Sequence, residues 1–484
     1  MNNLIPLMVV IPIACALLLS LFSKKNKLIK GLAFVVAFVI PLIPILSNYG
    51  LHYFGGYSPI LDNVTNTLYH PAITYSFEVL QKIFIAVLGI LTFLVVFIYL
   101  NKYKKASGPY LFLIFMGTAS VSALLLTDDI FNMFVFFEIL ALIQTGIVAA
   151  STLKNSYEMA LKYMILGSIG SPMFLLGIGF LLAIVGSVNI TDIVFAVNHR
   201  LVSPTSSVFL MSCGLIFFGW LYASGLPPFH IIKSGMYSKA EPHAAALLQA
   251  FTVISMVSIV LAMFRIFYKL PFFEILLVIF SILAMILGIT MALTQTDFRR
   301  MIGFLAVGEL GFIGLGIGLS TQFAITAGLF QAVNEMIITA LLFIGFGAIA
   351  HATGITETKK VGGLIANYPK VAIMILIGGF AMAGVPPLNG FQSKLMLVQA
   401  SLSCGYPELS LLAILMSIVT FVVFVKIFYA MFLKPKPNDL EVSDKPVPRS
   451  MIFSMVVLLL MCIVFGLFPS IIVNPISTFV GGMF

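Results

Sequence analysis

Charged side chains are scarce in this sequence: 26 lysines and arginines and 17 aspartates and glutamates make up 9% of 484 residues. A soluble globular chain carries about 25% charged residues, so that class is excluded. The 61% hydrophobic content places the chain in a bilayer. Tryptophan occurs once and histidine six times. No paired histidines hold a haem-like spacing, no loop fits a nucleotide, and no cysteine spacing fits an iron–sulfur cluster. Cys15, Cys213, Cys404 and Cys462 stand singly in or beside apolar runs. They read as small hydrophobes, neither a metal site nor a disulfide framework. No cofactor is therefore expected in this chain, and electrons, if they drive it, travel in a partner. The net charge of +9 is spread over short loops between apolar runs. That is a topology signal and indicates no nucleic-acid partner.

A membrane helix needs about 20 apolar residues. Runs of that kind lie near 3–22, 29–48, 82–100, 109–126, 130–150, 159–185 and 206–224. A second set follows near 244–268, 272–293, 300–320, 322–350, 371–385 with 391–403, 409–433 and 450–470. The expectation is an all-α integral membrane fold of about fourteen transmembrane helices in one polytopic domain spanning 1–484. The longest polar stretches, 49–80 and 434–449, leave no room for a separate soluble domain. The first apolar run follows MNN at once, without a basic segment, and reads as a retained helix.

Positive charge sets the orientation. With the N-terminus outward, the cytoplasmic loops hold Lys24, Lys25, Lys27 and Lys30, then Lys102, Lys104 and Lys105, then Lys154. They also hold Arg299, Arg300, Lys359, Lys360, Lys370, Lys434, Lys436, Lys445 and Arg449. Outward loops keep Arg200, Arg265 and Lys269, with Lys82 at a helix start. Both termini are thus expected on the outer side of the cell membrane.

The chain also repeats itself. GLPPFHIIK at 225–233 is echoed by GVPPLNGFQSK at 384–394, an offset of 159, and TDDIFN at 127–132 by TDFRRM at 296–301, an offset of 168 between Asp129 and Asp297. Two copies of a five-helix unit would give such offsets. The implied division is helices 1–3 at 1–108, repeat one at 109–268, repeat two at 272–433 and a last helix at 450–470.

A charge inside a bilayer costs at least a few kcal/mol and is a functional hypothesis by default. Glu138 stands mid-helix in NMFVFFEILALIQTG, and a proton relay there requires a movable counter-charge, for which Lys162 is a candidate. The alternative is a structural carboxylate paired with a lysine. Lys394 follows the second Pro-Pro break. A broken helix frees backbone groups at membrane depth, tolerated only where they line a cavity or water, and paired breaks are a pointer to an ion path. The stretch 230–243 holds His230, Lys233, Lys239, Glu241 and His243, part of it solvated at the cytoplasmic surface, with His230 suited to line a water-filled route. Glu309 and Glu335 are two more isolated acids in apolar helices. Together with Glu138, Lys162 and Lys394 they supply a chain of alternating acid and base. Arg299 and Arg300 read as orientation signals only.

At these residues the chain resembles the antiporter-like family shared by respiratory complex I, Mrp-type cation/proton antiporters and membrane-bound hydrogenases or sulfane reductases. The resemblance runs from about 75 to 470 through DDIFNMFVFFEILAL, ALKYMILGSIGS, LPPFH, QTDFRRMIGFLAVGELG, HATGITETKKVGGL and GVPPLNGFQSK. It implies inverted five-helix repeats with broken helices 7 and 12, Glu138 as the helix-five acid and Lys394 as the helix-twelve lysine. It also implies other membrane subunits as partners, with iron–sulfur or NiFe centres only in those partners. The sequence departs from the family at three places. The usual helix-seven lysine position falls near Ala223, and no lysine or arginine occurs from 201 to 232. Helix eight offers only Gln249 and Ser255 where a lysine or histidine is usual, and helix eleven has Gln331, Glu335 and Thr339. Either Lys233 or Lys162 substitutes for the missing base, or the N-terminal half-channel is degraded. The function implied is a non-redox subunit translocating protons, in possible exchange for sodium. The rivals are a structural subunit that has lost transport, a Mrp-type Na+/H+ antiporter subunit and a stand-alone carrier of an organic solute.

Overall fold

The computed structural model describes residues 4–22, 26–54, 60–62, 67–69, 73–268, 270–435 and 445–483. Lys24, Lys25, Lys269 and Lys436 of the charge pattern lie outside the described residues. Helices dominate. The N-terminal part holds α1 (Leu7–Leu21), α2 (Asn26–Val39), α3 (Leu42–Leu46) and α4 (Val79–Lys102). Next come α5 (Gly108–Leu126), α6 (Ile130–Ala149), α7 (Ser156–Val185), α8 (Ile190–Asn198), α9 (Ser207–Ser224), α10 (His230–Lys239) and α11 (Pro242–Phe267). The remainder is α12 (Pro271–Thr294), α13 (Phe298–Gly318), α14 (Gln322–Thr353), α15 (Leu364–Asn367), α16 (Pro369–Ala383), α17 (Asn389–Ser403), α18 (Pro407–Phe428), α19 (Arg449–Leu467) and α20 (Ser470–Gly481).

Among the described residues, twelve helical stretches are long and apolar enough to cross a membrane. Two of the fourteen expected crossings therefore have no single full-length helix. One is 3–22, which forms the 15-residue α1, and the other is the interrupted pair α16 and α17, each of 15 residues. The polar stretch 49–80 is not featureless. It contains antiparallel pairs of β1 (Gly50–Phe54) with β4 (Ile73–Phe77) and β2 (Ile60–Asp62) with β3 (Thr67–Tyr69). Along ITYSF only Ile73 is exposed, and Thr74, Tyr75 and Phe77 are buried. Helix α20 also lies beyond the last expected span.

The two breaks share one construction. Proline has no amide hydrogen and its ring clashes with the preceding turn, so α9 and α16 cannot run through Pro227–Pro228 or Pro386–Pro387, whose peptide bonds are both cis. Each helix ends instead in a left-handed glycine, Gly225 at φ 70° and Gly384 at φ 77°, a conformation open to glycine at little cost. The Gly225 amide donates back to Leu221 at 3.0 Å and the Gly384 amide to Ala381 at 3.1 Å.

The TDDIFN and TDFRRM echo is structural as well. Asp129 caps α6 through the Asn132 amide and Asp297 caps α13 through the Arg299 amide. Beside the first cap, Ile130 N donates to Val188 O and Ile190 N to Asp128 O. Beside the second, Phe298 N donates to Thr356 O and Thr358 N to Thr296 O. Each residue of the second set lies 168 positions after its counterpart. Five apolar helical units separate the caps: α6, α7, α9 with α10, α11 and α12. Five units between matching caps is the spacing expected of a repeated five-helix unit. The central stretches of α11 and α13 are wholly buried, which places these two helices at the heart of the bundle.

Candidate functional site

In the second repeat, four helices converge on Lys394. Its Nζ lies 2.7 Å from Glu309 Oε1 on α13 and 2.6 Å from the Met382 carbonyl at the end of α16, and 4.4 Å above the Phe312 ring. Met382 lies in the last turn before the break. Its carbonyl has lost the partner that a continuing helix would supply, and the negative end of the α16 dipole favours a cation there. The ion pair is enclosed, with 6% of the lysine side chain and 1% of the glutamate exposed. Glu309 Oε2 accepts from Gln331 Nε2 at 2.8 Å, and Gln331 Oε1 accepts from the Ser393 hydroxyl at 2.6 Å. Asn334 then donates to Ser393 at 3.1 Å and exchanges hydrogen bonds with Asn389. A buried carboxylate and ammonium thus sit in a shell satisfied on nearly every side, the condition under which such a pair is tolerated.

Glu335, one turn beyond Gln331 on α14, accepts from Thr339 and, at 3.2 Å, from Gln249 Nε2 on α11. Because α11 belongs to the first repeat, this hydrogen bond joins the two halves. Gln249 is itself fully buried, and its Oε1 has no partner.

In the first repeat the buried cation is Lys233, 2% exposed. It reaches Gln144 Oε1 on α6 at 3.1 Å, the Tyr163 hydroxyl on α7 at 3.3 Å and Thr252 Oγ1 on α11 at 3.3 Å. Tyr163 donates to Gln144 at 3.0 Å and Tyr237 to Thr252 at 2.8 Å. Among the described residues no carboxylate lies within ion-pair distance of Lys233. Glu138 is half-buried on α6, with Ser171 of α7 in hydrogen-bonding reach of its carboxyl and Oε1 without a partner. It lies close enough to act electrostatically on both Tyr163 and Tyr222, whose rings stack at 5.5 Å.

These placements correct the expected partnership of Glu138 with Lys162. Lys162 points outward, its side chain 59% exposed, and pairs with Glu158 one turn earlier on α7. Successive residues of a helix point about 100° apart, so Tyr163, the next residue, is the one turned inward. His230 is buried at the start of α10. Among the described residues no hydrogen bond joins it to the Lys233 cluster. Glu241 and His243, expected in part to be solvated, are 8% and 0% exposed. Glu241 is held by Lys102 of α4 and by Thr152, each at 2.8 Å, and His243 Nε2 lies 3.4 Å from the Tyr110 hydroxyl. Burial alone would raise the Glu241 carboxyl, but the adjacent Lys102 ammonium outweighs it and holds that carboxyl below its ordinary value.

Sequence reasoning missed Gln144, Tyr163, Thr252, Tyr237, Asn334, Asn389 and Ser393. The available signal was an uncharged polar residue inside an apolar helix, which is far weaker than a charge. Among the described residues no group of three histidine, cysteine, aspartate or glutamate side chains is placed to hold a metal ion. Away from these clusters, a cavity of about 530 Å³ is lined by Thr127, Asp128, Thr191, Asn198, Arg265 and apolar side chains of α5 and α11. The Asp128–Arg265 ion pair stands in its wall.

Comparison with known proteins accords with this architecture. Residues 127–421 match the family described as NADH:quinone oxidoreductase/Mrp antiporter, transmembrane. An uncharacterized protein of Methanocaldococcus jannaschii is 35% identical over 479 residues, covering 98% of this chain and 96% of that one. The D-type subunit of the Na(+)/H(+) antiporter of Alkalihalophilus pseudofirmus is 27% identical over 452 residues, covering 92% and 90%. Among solved structures, a chain of the Mrp complex from Dietzia sp. DQ12-45-1b superposes with a TM-score of 0.88 at 21% identity, covering 99% of this chain and 97% of that one. A chain of the membrane-bound sulfane sulfur reductase, an archaeal respiratory membrane complex, gives 0.86 at 23% identity, with 99% and 97% covered. With its paired breaks, its repeated caps and a match across well over half its length, the chain belongs to the NADH:quinone oxidoreductase/Mrp antiporter transmembrane family.

Proposed function

We propose that this chain is a non-redox, ion-translocating subunit of a multisubunit complex in the cell membrane, moving protons and exchanging them for sodium. The observation that carries the reading is the enclosed Glu309–Lys394 pair, completed by the Met382 carbonyl that the α16–α17 break sets free. Two opposite charges held at membrane depth cost several kcal/mol to desolvate. A merely structural contact gains little from such an arrangement, whereas a transport site uses it. A proton bound by the Glu309 carboxylate leaves a neutral acid and releases Lys394 from its anion. Loss of a proton from Lys394 to the far side then leaves a neutral amine, and transfer of the Glu309 proton to that amine across their 2.7 Å contact restores the carboxylate and ammonium. Over the cycle one proton enters at Glu309 and one leaves from Lys394, and no electron transfer is needed.

The reading includes fourteen crossings, both termini outward, and redox centres confined to partner subunits. The relative from Alkalihalophilus pseudofirmus is a subunit of a Na(+)/H(+) antiporter, which supports sodium as the exchanged cation and a Mrp-type assembly as the second reading. The sulfane reductase likeness supports a respiratory assembly. The test uses inverted membrane vesicles holding the assembled complex, with proton and sodium movements followed separately. Glu309→Gln and Lys394→Met are expected to abolish proton movement while assembly and electron transfer survive. Normal movement in both variants would make the chain a scaffold. Proton movement insensitive to sodium would remove the exchange.

A further inference from the structure

We propose that Lys233 is the charge-changing base of the first repeat, and that Gly225 is the residue that lets it reach its site from beyond the helix break. The proposal rests on the transport reading above. Three observations support it.

The first is correspondence. In both repeats a left-handed glycine ends the helix before the break, and a lysine follows on the helix after it, eight residues on at Lys233 and ten at Lys394. In both, the lysine stem turns back across that glycine. A methyl group at Gly225 would lie 2.1 Å from Lys233 Cγ, and one at Gly384 would lie 3.2 Å from Lys394 Cδ. The missing side chain is what opens the way, far more stringently at Gly225.

The second is the chemistry of what each amine meets. Lys394 ends on a carboxylate and a backbone carbonyl, which accept hydrogen bonds and cannot donate them. While Glu309 is ionised, that shell fits an ammonium, and it can donate to a neutral amine only once Glu309 carries a proton. Lys233 ends on two hydroxyls, Tyr163 and Thr252, and on the Gln144 carboxamide. A hydroxyl accepts from an ammonium and, by rotating its hydrogen, donates to a neutral amine. Lys233 can therefore gain or lose a proton without stranding its hydrogen-bonding partners.

The third is the neighbouring acid. Glu138 has a carboxyl oxygen without a partner, and Tyr163, which lies within its electrostatic reach, also holds Lys233 through its hydroxyl at 3.3 Å. In the transfer, the Glu138 acid loses a proton and the Lys233 amine gains one, leaving a carboxylate and an ammonium with no net change in charge. The first repeat then runs in the opposite sense to the second: its acid and base start neutral and become charged, while Glu309 and Lys394 start charged.

The experiment measures proton movement in vesicles holding the full complex with Lys233→Met, Lys233→Arg, Gly225→Ala and Gly225→Ala/Lys233→Met, beside Lys394→Met. Loss of a positioned proton-transfer group lowers rate by about a hundredfold or more, and Lys233→Met is expected to do so with assembly intact. Lys233→Arg keeps the charge but does not release a proton near neutral pH, and is expected to be equally inactive. It decides the matter if the methionine variant fails to assemble. Gly225→Ala is expected to lower transport in the wild-type background and to add nothing to Lys233→Met. Wild-type transport in Lys233→Met or Lys233→Arg, with Lys394→Met inactive, would overturn the role of Lys233 and leave the transport reading standing. Wild-type transport in Lys394→Met as well would overturn the transport reading itself. A further drop on adding Gly225→Ala to Lys233→Met would overturn the positioning role of the glycine.

Discussion

Replacing Lys394 by methionine removes one charge of an enclosed pair and leaves its shape roughly filled. At the 2.7 Å separation of Lys394 Nζ and Glu309 Oε1, Coulomb's law with an effective dielectric of about 20 gives roughly 6 kcal/mol of attraction. Much of that is offset by desolvation of the two ions, so the pair as a whole adds little net stability. Breaking it is another matter. Removing one partner leaves an uncompensated buried charge, typically at about 3–5 kcal/mol. Glu309 would keep only the Gln331 amide at 2.8 Å. The double variant Lys394→Met/Glu309→Gln removes both charges, and its carboxamide can still hydrogen-bond to Gln331. Thermal unfolding of the purified complex should therefore rank the wild type highest, the double variant close below it and Lys394→Met well below both. All variants should lose proton movement. The stability cycle thus separates the electrostatic argument from the transport argument. A double variant no more stable than Lys394→Met, or a sum of independent single effects, would refute the claim that these two side chains neutralise each other.

Three further outcomes follow from the same geometry. Lys162→Met should leave transport and melting temperature unchanged, because its solvent-exposed contact with Glu158 is screened and adds little to stability. Proton uptake and melting of that variant check it. Gln331→Leu removes the donor to Glu309 Oε2 and the acceptor of the Ser393 hydroxyl. Ser393 can turn to the Asn389 or Gly390 carbonyl, but Glu309 Oε2 left unpaired costs about 1–3 kcal/mol, so melting should fall, whereas Gln331→Glu should change transport as well by adding a further buried acid. The Glu241 carboxyl is held low by Lys102. Its contribution is complete above the ordinary carboxylate value and is lost as pH falls through the lower folded value. The melting gap between wild type and Glu241→Gln should close on acidification below about pH 4, where unperturbed glutamate titrates.

Much of this was readable in the sequence, for physical reasons that differ by residue. A proline pair inside an apolar run, with glycine just before it, stops a helix whatever surrounds it, and both breaks fell where GLPP and GVPP placed them. Glu309, Glu335 and Lys394 were found because a charge in an apolar helix has few tolerable explanations, whereas Lys233 stood in a polar-rich stretch past the break and was only one of two candidates for the missing base. Spacing alone left the choice between Lys162 and Lys233 open. That choice depends on which way α7 is rotated and on whether a lysine on α10 can fold back past Gly225, and both are tertiary facts. Gln144, Tyr163, Thr252 and Asn334 were silent for another reason: an uncharged polar side chain in a membrane helix often bonds to its own backbone four residues back, as Ser255 does here, and only packing shows which ones meet a neighbour. The strand pairs between 49 and 80 were missed because strands this short leave no apolar run of membrane-helix length.

The hydrogen bond from Gln249 to Glu335 has a consequence for how the two halves communicate. A carboxamide at this junction holds no exchangeable excess proton over the working range of pH, so it passes on orientation and electric field but not charge. A charge change beside Glu335 is felt across α11 through space, with a strength set by distance and by the low polarisability of the wholly buried α11 and the largely buried α14. At this contact the halves behave less like two lengths of one wire than like the plates of a capacitor. Each can be charged from its own side, and the state of one sets the potential at which the other fills.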